Sequence, residues 1–235
     1  MDIPGQEKPL RDAITGLDAG ETRTQLENEL IQHRQHLREL PQGCAPQDRA
    51  RVELDIAVAL LGLGKQVEAR ELARGAFDVL VAAEVWSDAV QACDLIYGCE
   101  QDDAIVALGN GVWLAVTYPV PPELTVNLLR HIVDETPDDS DGGAVAAVAA
   151  HYIADMRAKG RQHENLTFLT SQIVAKVAKR HRGIEDEDSI RMWIEIHELN
   201  DPGELLSKLA TVLDAMVADE WWIDRDALRA RLPVQ

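Results

Sequence analysis

Aromatic side chains are scarce in this chain: two Phe, three Tyr and five Trp make up 4% of 235 residues. Ala, Leu and Val dominate instead. That usage suits close-packed helices, because Ala permits near approach and Leu fills gaps with little loss of rotamer freedom. Bases are few as well, 23 against 41 acids, for a formal charge of −18. A surface of that sign repels nucleic-acid phosphates and anionic lipid, which excludes general DNA, RNA or membrane binding. The three cysteines, Cys44, Cys93 and Cys99, are too few for a disulfide framework at this length. Cys93 and Cys99 do not form a C-x-x-C pair and read as small packing residues. No apolar run approaches the ~20 residues of a membrane span. The opening MDIPGQEKPL is polar and unlike a signal peptide. A reduced cytoplasm is the expected location.

Catalytic signatures are missing too. The chain has no nucleophile elbow, no phosphate loop and no dinucleotide fingerprint opening a helix after a strand. Gly62-Leu63-Gly64 sits between helical patterns and cannot start a Rossmann unit. No enzyme and no cofactor are expected. Seven His leave metal chemistry to consider. Glu29, His33 and His36 share a helix face, but in a polar helix where such triplets arise by chance. A second set is His131 and Asp134 before the acidic linker, with His151 and Asp155 one helical turn apart beyond it. These four are the weak metal candidates, and a metal-binding helical protein or metal-dependent enzyme built on them is the alternative function. Neither H-E-x-x-H nor a paired E-x-x-H is present, so the plainer reading of His151 is a core or capping residue. The linker DETPDDSD lacks the alternating ligands and closing Glu of a calcium loop.

What remains is helix throughout, at 46% apolar and 27% charged residues. Residues 1–18 read as a flexible N-terminal arm with at most one short helix around Leu10 to Leu17. Residues 19–235 read as a single α-helical domain. A polar helix from Glu21 to Leu40 ends at the break PQGCAP. Asp48 is expected to cap a helix to Leu63, with a partner from Val67 to Ala82. Trp86–Tyr97 and Asp103–Val116 repeat that hairpin. YPVPP then stops the chain, and Glu123–Val133 follows. Ser140 or Asp141 caps a helix to Ala158. Leu166–His181, Ser189–His197, a helix opened by Asp201-Pro202 and running to Ala218, and Asp224–Arg231 complete about ten helices. Trp113 to Tyr118 has β-like composition but no hairpin signal beside it.

Shifting the chain by 34 residues superposes Leu61 on Leu95, Gly64 on Gly98 and Ala73 on Ala107. That is the length of a tetratricopeptide helix–turn–helix repeat. The fold expected is all-α, with antiparallel helix pairs stacked as a short tetratricopeptide-like right-handed solenoid. The repeat signal is best over 48–117 and irregular over 122–235. The run from Leu54 to Ala76 resembles a tetratricopeptide unit at Ala57, Leu60, Gly64, Ala69, Ala73 and Ala76. The family's Trp at the start of the first helix and its closing Pro are absent.

Three further strings, WLAVTYPVPPELTV, DETPDDSDGGAVAA and WWIDRDALRARLP, resemble bacterial tetratricopeptide-like proteins. Those are encoded beside accessory factors of nickel–iron uptake hydrogenases. The resemblance implies an assembly factor that holds a metalloenzyme subunit during maturation, and it assigns no residue a role.

Such stacks bind other proteins on curved surfaces. Two features point to contact residues. From Arg157 to Arg182 there are seven bases and one acid, a net +6, against −24 for the rest of the −18 chain. Lys176, Lys179 and Arg180 lie in that patch and suit an acidic client segment. The plainer reading is a solvated face answering neighbouring acids. Trp221 and Trp222, with Arg225 close by, point about 100° apart on a helix and belong to residue types that dominate binding hot spots. Their plainer reading is a lid closing the last repeat. The function expected is a protein-binding scaffold or assembly chaperone. Its partner would be another protein, a metalloenzyme subunit or its maturation factors among the candidates.

Overall fold

A computed structural model describes residues 19–232, and the expected N-terminal arm lies outside them. The helices are α1 (Ala19–Glu39), α2 (Pro46–Gly62), α3 (Gln66–Ala82), α4 (Trp86–Gly98), α5 (Ala104–Thr117), α6 (Pro122–Glu135), α7 (Asp141–Arg157), α8 (Gly160–Arg182), α9 (Glu187–Ile196), α10 (Pro202–Val217) and α11 (Arg225–Arg229). Among the described residues there is no strand. The β-like Trp113–Tyr118 run closes α5.

Local chemistry explains most boundaries. Asp201 accepts from the Glu204 N–H at 3.0 Å with Pro202 at the first helical position, and Asp224 accepts from Ala227 at 2.9 Å. Ser140, and not Asp141, caps α7. Asp48 is not a cap: α2 begins at Pro46, after an extended Ala45, and Asp48 sits in its first turn. There its charge still complements the helix dipole. Helix α8 begins at Gly160, six residues before the Leu166 expected from the apolar pattern. Residues 160–165 have no apolar periodicity. They are held by side-chain contacts instead, Gln162 to Glu123 and His163 to Asp155.

The turn after α2 closes with two bonds, Lys65 N–H to Leu60 O and Gly64 N–H to Leu61 O, both 2.9 Å, with Gly64 at φ +77°. The same closure after α3 uses Glu84 at φ 58°, and after α4 Glu100 takes φ 55°. Successive pairs start at Pro46, Trp86, Pro122 and Gly160, steps of 40, 36 and 38 residues. The strict 34-residue period is therefore not kept, and Gly98, in the last helical position of α4, is not the counterpart of the turn glycine Gly64.

Consecutive helices pack as neighbouring pairs. The even-numbered members also touch along the row: α2 with α4, α4 with α6 and α6 with α8. No comparable contact joins α3 to α5 or α5 to α7. Helix α10 returns to pack on both α5 and α7. Two glycines on opposite sides of α5 allow close approach, Gly109 to α10 and Gly111 to α4 and α6. A Cβ on Gly109 would meet Val217 Cγ2 at 2.3 Å, and one on Gly111 would meet Cys93 Cβ and Leu128 Cδ2 at 2.7 Å. Between them Asn110 is fully buried. Its amide donates to Val106 O at 2.9 Å and its oxygen accepts from the Trp222 N–H at 3.1 Å. Helix α10 and Trp222 thus cover parts of α3, α5 and α7.

Candidate functional site

The even-numbered side stays open. Between α2, α4 and α6 lies a cavity of about 430 Å³, floored by Leu54, Val58, Leu61 and Leu95 and flanked by Asp55, Asp94, Tyr97 and His131. Its apolar floor follows from helix periodicity, since residues 54, 58 and 61 recur on one face of α2. Val58 is 59% exposed, unusual for an aliphatic side chain on an otherwise well-packed helix. Tyr97 and His131 form one wall, tilted against each other with centroids 4.5 Å apart. His131 Nε2 lies 3.2 Å from Asp94. The Tyr97 hydroxyl donates to Glu135 at 2.7 Å. Burial first, and the Glu135 carboxylate second, push the Tyr97 phenol well above the ordinary tyrosine range, so it stays a donor. This surface can receive an apolar side chain with charged groups beside it.

The residues expected to meet a partner have other neighbours. Arg180 is turned into the fold, donating to Val133 O at 2.8 Å and Thr136 Oγ1 at 3.1 Å, where it satisfies the C-terminus of α6. Arg157, from the same basic run, does this for α5, reaching the carbonyls of Ala115, Val116 and Tyr118. Lys179 is exposed and pairs with Glu185 at 2.7 Å, and Lys176 is exposed on α8. Trp222 packs edge-on to Phe77 at 5.4 Å beneath the Arg74 guanidinium. Trp221 lies under Arg225, which pairs with Asp214 at 2.7 Å. Trp222 is thus a lid on α3 and α5, whereas Trp221 sits on the last helices of the chain through Arg225.

The four weak metal candidates are not drawn together. His131 faces Asp94. His151 donates from Nδ1 to Thr170 Oγ1 at 2.9 Å, because that hydroxyl already donates to Leu166 O. Asp155 pairs with His163 at 2.9 Å, and Asp134 is exposed at the end of α6. Burial holds His151 below the ordinary histidine range.

Another trio does converge, Asp141, His181 and His197, at the start of α7 and the ends of α8 and α9. His181 Nε2 lies 3.1 Å from Asp141 Oδ1, outside hydrogen-bond geometry, and His197 Nδ1 lies 3.8 Å from the same oxygen. Spacing gives no warning of this trio, because its members come from three helix ends. Hydrogen bonding argues against a cation there. The Trp193 indole N–H donates to His181 Nδ1 at 3.1 Å, so Nδ1 is an acceptor and the ring proton sits on Nε2. A metal-ligating histidine needs the reverse arrangement, with a free lone pair facing the ion and the other nitrogen donating. Burial first, and Arg182 second, hold His181 below its ordinary range and keep it neutral.

His131 apart, which the sequence offered as a metal candidate, the groove residues escaped attention because they are common types with no motif spacing. The available signal was the superposition of Leu61 on Leu95, both of which line the groove. Among the described residues no helix is long and apolar enough to cross a membrane. Comparison with family models, with curated proteins and with solved structures finds no match to this chain.

Proposed function

We propose that this protein is a non-catalytic protein-binding scaffold whose helix pairs stack as a short tetratricopeptide-like solenoid. The observation that carries this reading is the open groove along α2, α4 and α6, with the exposed aliphatic side chain of Val58 in its lining. Parts of α3, α5 and α7 are covered by α10 and Trp222, which leaves the even-numbered helices as the recruiting face. Lys176 and Lys179 extend that face along α8 and contribute charge to client contact. The resemblance to hydrogenase accessory proteins makes an immature metalloenzyme subunit the first client to try, with the scaffold acting as an assembly chaperone.

The test is capture from native lysate on immobilised protein, wild type and Val58→Asp side by side, with circular dichroism confirming equal helicity. A client retained by the wild type and lost from Val58→Asp supports the reading. Indistinguishable capture by the two proteins overturns it.

A further inference from the structure

We propose that the α2–α4–α6 groove takes a cationic amphipathic segment of another protein, an apolar side chain seating on Val58 while Lys or Arg residues meet Asp55 and Asp94. The inference rests on the protein-binding reading above and adds the chemistry of the occupant.

Charge complementarity carries it. Three cavities can be compared: the one between α7, α9 and α10 includes Lys208, the one under the C-terminal lid includes Arg231, and the third is the groove. The groove alone among them is lined by two carboxylates and no Lys or Arg. Its flanking acids are also poorly neutralised. Asp55, with 57% of its side chain exposed, has only His33 Nδ1 at 3.9 Å, a group charged only when protonated. Asp94 has His131 and the neutral Asn127 amide. Other acids have strong cationic partners: Asp88 on α4 is bound by Arg51, and Asp103 before α5 by Arg70 at 2.7 Å. Both carboxylates beside the exposed aliphatic floor thus have histidine or amide neighbours and no Lys or Arg. An acidic or phosphorylated segment would meet repulsion there, and a purely apolar one would leave both acids partly desolvated and unpaired.

The probe is a fluorescein-labelled 18-residue Leu/Lys helical peptide, with its Leu/Glu counterpart as control, followed by anisotropy at low and moderate salt. A chain of charge −18 attracts any polycation, so the deciding comparison is between two variants of equal net charge. Asp55→Asn/Asp94→Asn alters the groove, and Asp102→Asn/Asp219→Asn alters remote acids. The groove variant is expected to bind the Leu/Lys peptide about tenfold more weakly, the remote one within about twofold of wild type. Val58→Gln should lose several-fold without changing the salt dependence. Asp55→Asn alone serves if the double variant unfolds.

Equal losses from the two charge variants, or equal binding of the Leu/Glu peptide, overturn the proposal. A dimer seen by sedimentation and dissociated by Val58→Gln would assign the groove to a second copy and overturn it too. A Val58-dependent client that carries no basic segment would remove the charge assignment and leave the scaffold function standing.

Discussion

Tyr97 and His131 are 34 residues apart in the chain and meet as tilted rings with centroids 4.5 Å apart, one on α4 and one on α6. The sequence interval near the repeat length becomes a side-chain contact on the wall of the groove. Replacing Tyr97 by Phe keeps the ring contact and removes the hydrogen bond to Glu135. A loss of about 1 kcal/mol in urea unfolding is expected, with the groove otherwise intact. An unchanged midpoint would mean that the hydroxyl contributes nothing to holding the wall.

Acid should destabilise the protein through His181. Burial depresses the pKa of this side chain in the folded state, whereas the unfolded chain titrates near about 6.5. The unfolded state therefore binds more protons as pH falls below that value. The stabilisation is complete above it and is lost progressively as pH drops through the folded value. His151, lowered by burial as well, acts in the same direction. Urea titrations at pH 8, 6.5 and 5 should show stability falling, with a shallower slope in His181→Gln. A slope untouched by that substitution would remove His181 from the account.

Trp193 should control whether the histidine cluster can bind metal. In the wild type the indole N–H fixes the ring proton on Nε2 of His181. Trp193→Phe frees Nδ1 to carry the proton and exposes the Nε2 lone pair to Asp141 and His197. Calorimetry with Zn²⁺ should show weak binding by the wild type and at least about tenfold tighter binding by Trp193→Phe, abolished by adding His197→Ala. Tight equimolar binding by the wild type that is lost in His181→Ala would contradict the tautomer argument.

The paired glycines of α5 predict two distinct injuries. Gly111→Ala drives a methyl into Cys93 and Leu128 and should cost about 1–3 kcal/mol of global stability. Gly109→Ala pushes on Val217 and should loosen α10 first, which protease cleavage after Lys208 or Arg225 would reveal before global unfolding. Cleavage patterns identical to wild type would show that α10 adjusts without separating.

A gain is expected at Glu100, which ends α4 with φ 55°, a conformation that favours glycine. Glu100→Gly should stabilise the protein by about 1 kcal/mol and raise the melting temperature by a few degrees. A lower melting temperature would show that the side chain has a compensating role.

Several features could be read directly from residues. The caps at Ser140 and Asp201, the breaks at Gly64 and YPVPP, and the packing role of Cys93 and Cys99 are local chemistry, and each takes its expected place. The early start of α8 was hidden because Gly160–Asn165 owes its helicity to contacts with α6 and α7 and not to an apolar stripe of its own. Likewise, Arg180 looked like a surface cation in the sequence, and only the position of the α6 C-terminus shows that it caps a helix.

By itself, then, the sequence determined that this chain is helical, where most helices begin and end, and that its acidic surface disfavours polyanions. These properties depend on residues within a turn or two of one another, or on composition alone. Only the tertiary structure decided which side of the helix row is open. That outcome depends on Gly109 meeting Val217, and Asn110 meeting Trp222, across more than a hundred residues of intervening chain. Such contacts have no sequence period. They form because Gly109, lacking a side chain, leaves room for a distant helix to bury its apolar face.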